Sequence, residues 1–207
     1  MSTPRAVSKP RAIAEELAER LTPASEGSGP LLQRDYWGVL DGCGRSAPEV
    51  AALVRERFLD FPPEALVVFT REGDGPLDVG DVLGVKIKGA PDTAVRVVHA
   101  DANGLTLATV RGHPEAGRIT FGAYPNGRGD VVFHIRSRAR SASPFHLTGF
   151  LAAGEPMQTN TWTDFIDRLA HTVGDGVVGA IYAETQEVEE TEADRVCEGP
   201  TFVAEGG

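Results

Sequence analysis

TAVRVVHADANGLTLATVRGHPEAGRITFGAYPNGRGDVVFHIRSR, Thr93 to Arg138, is the stretch on which the fold turns. It divides into four runs rich in β-branched and aromatic residues: Thr93–Ala100, Leu105–Arg111, Arg118–Tyr124 and Asp130–Arg138. Between them stand Asp101-Ala102-Asn103-Gly104, the loop Gly112-His113-Pro114-Glu115-Ala116-Gly117, and Pro125-Asn126-Gly127-Arg128-Gly129. Strand-like runs separated by short Asn-Gly and Pro/Gly clusters signal successive hairpins. An antiparallel meander is therefore expected at the centre of the fold.

Outward from the meander, Tyr36–Leu40, Ala65–Thr70 and Val82–Lys88 read as three further strands. Ser46-Ala47-Pro48-Glu49 is a capping box, opening a helix to about Phe58 with Val50, Leu53, Val54 and Phe58 on one face. A second helix is expected over Thr161–Val173, with Phe165, Ile166 and Leu169 on its apolar side and Gly174-Asp175-Gly176 as its stop. Val177–Ala183 fits a last strand or a short helix. The expected class is α+β: a curved antiparallel sheet of about seven strands wrapped on a C-terminal helix that covers its apolar face. Such a helix seldom fills all the space beneath it, so an internal cavity is expected.

The chain has 207 residues, of which 41% are hydrophobic and 24% charged, the composition of one globular domain with tails. The expected division is a flexible arm over 1–30, one domain over 31–183 and an acidic tail over 184–207. Within the arm, Ile13, Leu17 and Leu21 would form the stripe of a weak helix. The net charge of −10 is concentrated in the tail, where Glu184–Gly207 holds 8 acidic residues and 1 basic. The remaining 22 acidic and 19 basic residues leave the body nearly neutral, so nucleic acid is not an expected partner. Cys43 and Cys197 make no disulfide framework or metal-ligand spacing, and no run of 18 apolar residues or signal-peptide core occurs. A cytoplasmic protein without a membrane span or cofactor is the expectation.

Alternation along the meander sets its two faces. Ile119, Phe121 and Ala123 share a side, as do Val131, Phe133 and Ile135, and these must meet the helix. His134, Arg136 and Arg138 of the last run, with Arg118 and Tyr124, then fall on the outer, wet face. That exterior would be a basic stripe, since Leu105–Arg140 holds 6 arginines and 2 acidic residues. The expected ligand-binding residues between sheet and helix are Val97, Phe121, Phe133, Ile135, Phe165 and Leu169, with Gln158 and Trp162 at the rim.

Gly112-His113-Pro114-Glu115-Ala116-Gly117 ahead of Ile119-Thr120-Phe121, with the later Ser141 and Gln158 segments, resembles an uncharacterised bacterial family. That family belongs to the helix-grip superfamily of START-like and polyketide-cyclase-like (SRPBCC) proteins, which bind apolar ligands between sheet and helix. In it a similar Gly-His-Pro-Glu turn joins two central strands. The resemblance spans roughly Leu31 to Val173 and implies the helix-grip fold without implying an activity. Family members tend to carry further acidic residues after the glycine, where this chain has Arg118.

His113 and Glu115 are the candidate catalytic pair: an imidazole that titrates near neutrality and a carboxylate able to orient it. The same turn is also explained structurally, with the imidazole bonding a backbone carbonyl and the carboxylate taking free turn amides. No HxH or HxxxH pair occurs among His99, His113, His134, His146 and His171, so a metal is not expected unless His113, Glu115 and His134 meet in space. Nucleophile elbow, P-loop and dinucleotide fingerprints are absent from the sequence. The leading expectation is a binder of a small apolar or amphipathic molecule. The alternatives are a regulatory protein that holds a protein partner through its arm or acidic tail, and a cyclase- or hydrolase-type enzyme in which Arg118 or Tyr124 steadies an anion.

Overall fold

The computed structural model describes residues 20–143 and 155–193. In chain order the elements are β1 (Ser28–Asp41), α1 (Ala47–Arg57), β2 (Val67–Arg71), β3 (Val82–Ile87), β4 (Thr93–Ala100), β5 (Gly104–Thr109), β6 (Glu115–Pro125), β7 (Val131–Ser141), α2 (Glu155–Val173), β8 (Gly176–Val177) and β9 (Tyr182–Glu187). All nine strands join one sheet in the order β2-β3-β4-β5-β6-β7-β1-β8, with β9 also paired to β1. Every pairing is antiparallel. The protein is therefore α+β, with the expected meander β4–β7 inside a larger antiparallel sheet.

Three boundaries differ from the sequence reading. β1 spans 14 residues, because Ser28 to Asp35 extend the short Tyr-Trp-Gly-Val-Leu run, with Ser28 and Leu32 to Asp35 paired to β7. The stretch expected as tail from Glu184 begins as strand: Tyr182–Glu187 runs beside Trp37–Leu32, and a 3-10 turn follows at Glu190–Glu192. The arm also joins the body from Leu21 onward, where Thr22 N–H bonds Thr109 O at 2.9 Å and Ala24 is buried. Ile13, Leu17, His146 and Cys197 lie outside the described residues.

Both helices lie on the sheet face that carries Phe121, Phe133 and Ile135. The capping box of α1 forms as expected, with Ser46 N–H donating to Glu49 Oε2 at 2.8 Å and Ser46 Oγ at 2.6 Å. Phe58, just past α1, meets Phe121 edge-on at 5.1 Å and Phe165 of α2 at 5.6 Å. Phe165 in turn lies 5.3 Å from Phe121 and stacks on Phe133 at 6.0 Å. Burying each such ring stabilises the fold by about 1.5–3 kcal/mol, so this cluster fastens both helices to the meander. Among the described residues, no helix is long and apolar enough to cross a membrane.

Candidate functional site

Beside that solid core the same face holds a partly open cavity of about 110 Å³. Its wall changes character across the sheet. Leu66 and strands β2–β4 contribute Val67, Phe69, Val85, Ile87 and Val95, all apolar, whereas the β5–β7 side brings Thr109, His113, Glu115 and Ser137 among apolar neighbours. The first turns of α2 close it with Met157, Gln158, Thr161 and Trp162.

Glu115 reaches this wall because β6 starts earlier than the sequence suggests. Glu115-Ala116-Gly117 is not turn but strand, registered on Ser141-Arg140-Ala139. Gly117 reads as a turn residue yet serves a close approach: a Cβ there would stand 2.2 Å from the Arg138 carbonyl oxygen, and its φ is +150°. The same register turns Glu115 inward, on the face of Ile119 and Phe121. Gln158 arrives in the same way. The helix begins at Glu155, not Thr161, so Gln158 and Trp162 fall one turn apart, on one face of α2. Thr161 and Thr163 fit inside the helix because their hydroxyls bond the Met157 and Thr159 carbonyls, each at 2.8 Å.

His113 is oriented by backbone and not by the Glu115 carboxylate. His113 Nδ1 is engaged by the Glu115 backbone on both sides, lying 3.0 Å from its N–H and 3.2 Å from its carbonyl oxygen, so the ring tautomer decides which of the two it bonds. Among the described residues Nε2 has no hydrogen-bond partner. Burial holds the imidazole pKa down to about 4, against a smaller upward pull from the Glu115 backbone. The Glu115 carboxyl turns instead to α2 and β1: Gln158 Nε2 donates to Oε1 at 2.5 Å, and Arg34 Nη1 lies 3.9 Å from the same oxygen. Burial raises the Glu115 pKa, while Arg34 and the Gln158 bond oppose the rise. Arg34 is only 1% exposed, and it sits directly opposite Ser137 in the β1–β7 register. Ser137 Oγ is buried with no partner among the described residues. Sequence reasoning missed both, because an arginine and a serine on an otherwise apolar strand face carry no signal until the register is known.

Of the expected ligand-binding residues, Gln158 and Trp162 line the cavity. Val97, Phe121, Phe133, Ile135, Phe165 and Leu169 are each at most 1% exposed and fill the core beside it. They lie under the aromatic cluster, where ring-to-ring packing leaves no room, and the space falls farther out, beneath the first turns of α2.

The opposite face of β6 and β7 is dry, contrary to the wet basic stripe expected for it. His134, Arg136, Arg138 and Arg140 are all buried. The lengthened β1 supplies partners: Asp35 Oδ1 takes His134 Nε2–H at 2.7 Å and Arg136 Nε–H at 2.5 Å, and Gln33 takes Arg138 Nε–H at 2.7 Å. Gln33 also donates to Asp35 at 2.8 Å. Beyond β9, Glu192 lies 3.5 Å from Arg138, and Glu190 pairs with Arg140. Burial pushes the Asp35 pKa up, but the hydrogen bonds from His134 and Arg136 outweigh it and hold the carboxyl below its ordinary value. Burial lowers the His134 pKa, only partly offset by Asp35. Tyr124, whose pKa burial pushes up to about 12, keeps its proton and donates it to His134 Nδ1 at 3.3 Å. His134 and Tyr124 are thus across the sheet from His113 and Glu115, and no shared site forms. Arg118 borders the cavity, but its register partner is Arg138, so its side chain belongs to the outer face. Among the described residues no cluster of His, Cys, Asp and Glu has the geometry to hold a metal ion.

No protein-family profile matches the chain, and no curated protein sequence does. Solved structures do resemble it. The KanY protein, solved by NMR, aligns at a TM-score of 0.51 with 14% identity, over 70% of this chain and 99% of that one. A Thermobifida fusca protein aligns at 0.47 with 14% identity, over 68% of this chain and 93% of its own. Hypothetical protein jhp0584 from Helicobacter pylori aligns at 0.48 with 10% identity, over 84% and 99% respectively. At these identities the KanY likeness speaks to the fold alone.

Proposed function

We propose that this protein is a helix-grip, START-like ligand carrier that holds a small amphipathic molecule between the sheet and the first turns of α2. The observation that carries the reading is the graded wall: apolar from β2 to β4, with polar groups gathered on the β5–β7 side and α2. A cavity lined wholly by hydrocarbon is a packing defect, whereas convergent polar groups at one side fix a ligand's orientation. A general-base role for His113 is less well supported, because an imidazole with a pKa of about 4 takes a proton poorly at neutral pH.

The chain contains two tryptophans, and Trp162 lines the cavity while Trp37 stacks on Tyr182 at 5.3 Å. A Trp37→Phe protein therefore reports on the cavity through Trp162 alone. Titration with 1-octanol should shift or quench its emission saturably, and Val85→Phe, which fills the void, should abolish the response while the protein stays folded by circular dichroism. A linear, unsaturable response, or one that survives Val85→Phe, would count against the carrier.

A further inference from the structure

Resting on the reading of the cavity as a ligand site, we propose that it selects an uncharged amphiphile bearing a hydroxyl or carbonyl group, seated with that oxygen on the His113–Glu115–Ser137 wall and its hydrocarbon against β2–β4. Three groups face the cavity with bonding capacity to spare among the described residues. His113 offers Nε2, a donor or an acceptor according to tautomer, since Nδ1 is taken by the Glu115 backbone. Glu115 offers Oε2, since Gln158 and Arg34 both engage Oε1. Ser137 offers a buried hydroxyl without a partner. A ring nitrogen, a carboxyl oxygen and a hydroxyl on one wall match an alcohol, which both gives and takes a hydrogen bond, or a ketone, which takes one from the Ser137 hydroxyl.

Charge decides the rest. Glu115, the acidic group of this wall, has Arg34 Nη1 3.9 Å away behind the lining, and the two charges offset each other. His113 is neutral at physiological pH. Gln158 is already committed to Glu115. A carboxylate or ammonium head would therefore enter as an additional buried charge, and such a charge is strongly unfavourable without a partner of its own. The uncharged head meets no such cost and satisfies groups that burial otherwise leaves unpaired.

The test compares four eight-carbon probes at pH 7.5 on the Trp37→Phe protein: 1-octanol, 2-octanone, octanoate and octylammonium. The two neutral probes should bind at least about 10-fold more tightly than either ion. Glu115→Gln keeps the side-chain shape and removes the one acidic group of the wall. It should tighten octanoate by about 10-fold relative to 1-octanol. Wild-type-like binding of octanoate or octylammonium as tight as that of octanol would overturn the proposal, as would a Glu115→Gln ratio that does not move. Should Glu115→Gln fail to fold, Ser137→Ala serves: it should weaken octanol and octanone by about 3–10-fold, and unchanged affinity would overturn the assignment of the head group to this wall. Failure of all four probes to bind sinks the ligand-site reading itself, while binding with the reverse preference sinks only the choice of head group.

Discussion

Both faces of β7 bury polar side chains, which end in opposite states on the two sides. Outward, His134, Arg136, Arg138 and Arg140 meet Asp35, Gln33, Glu192 and Glu190 in a continuous row of bonds. Inward, Ser137 has no partner among the described residues and stands beside a void. A polar network whose members engage one another rigidifies the sheet, whereas polar groups with unused capacity beside a cavity are what a ligand completes. Burial of polar side chains does not by itself mark a site; unused bonding capacity next to empty space does.

The outer network depends most on Asp35. Asp35→Ala leaves His134 and Arg136 buried without their shared partner, and urea denaturation should show a loss of about 3–5 kcal/mol. A smaller but still large effect is expected from His113 under acid. Its folded pKa of about 4 lies below the ordinary value of 6.5, so the unfolded chain binds the proton first. Its contribution is intact above pH 6.5 and falls as pH drops toward 4, by about 3 kcal/mol over that window. Glu115 titrates with the opposite sign, and Asp35 and His134 add their own acid sensitivity. The measurement is therefore the difference between wild type and His113→Gln, whose stability should fall less steeply between pH 6.5 and 4.

Two single-atom changes sharpen the contrast at finer scale. On the outer face, Thr106 and Thr120 share a hydroxyl–hydroxyl bond of 3.0 Å. Thr106→Val orphans the second hydroxyl and should cost about 1 kcal/mol in thermal or chemical unfolding. On the inner face Ser137→Ala removes a hydroxyl that already lacks a partner, so stability should hold or rise by up to about 1 kcal/mol. Equal losses at the two positions would mean that the faces do not differ in the way described.

Much of this architecture is legible in the residues alone. Alternation and turn chemistry place β4 to β7, and the Ser46–Glu49 box places α1. The failures share one cause, which is that polar strand residues look like loop or surface until their partners are known. Leu31 to Asp35 include Gln33, Arg34 and Asp35, which hide the first half of β1, and β9 reads as tail because Glu184 and Glu187 are acidic. Each of these segments makes sense only when β1 and β7 lie side by side, an arrangement about a hundred residues apart in sequence. Gly117 hides the start of β6 for a different reason: a glycine demanded by close backbone approach has the same letter as one demanded by a turn. His113, Glu115, Gln158 and Trp162 are therefore identifiable beforehand as residues of interest, but Arg34 and Ser137 are not.

The position of a bound amphiphile tests the graded wall directly. Intermolecular nuclear Overhauser effects should be recorded for 1-octanol in complex with methyl-labelled protein. The terminal methyl of the probe should contact Val67, Val85 and Ile87, and the carbon bearing the hydroxyl should contact the His113 ring. Contacts confined to surface residues outside this cavity, or a reversed orientation with the hydroxyl end against β2 and β3, would contradict it.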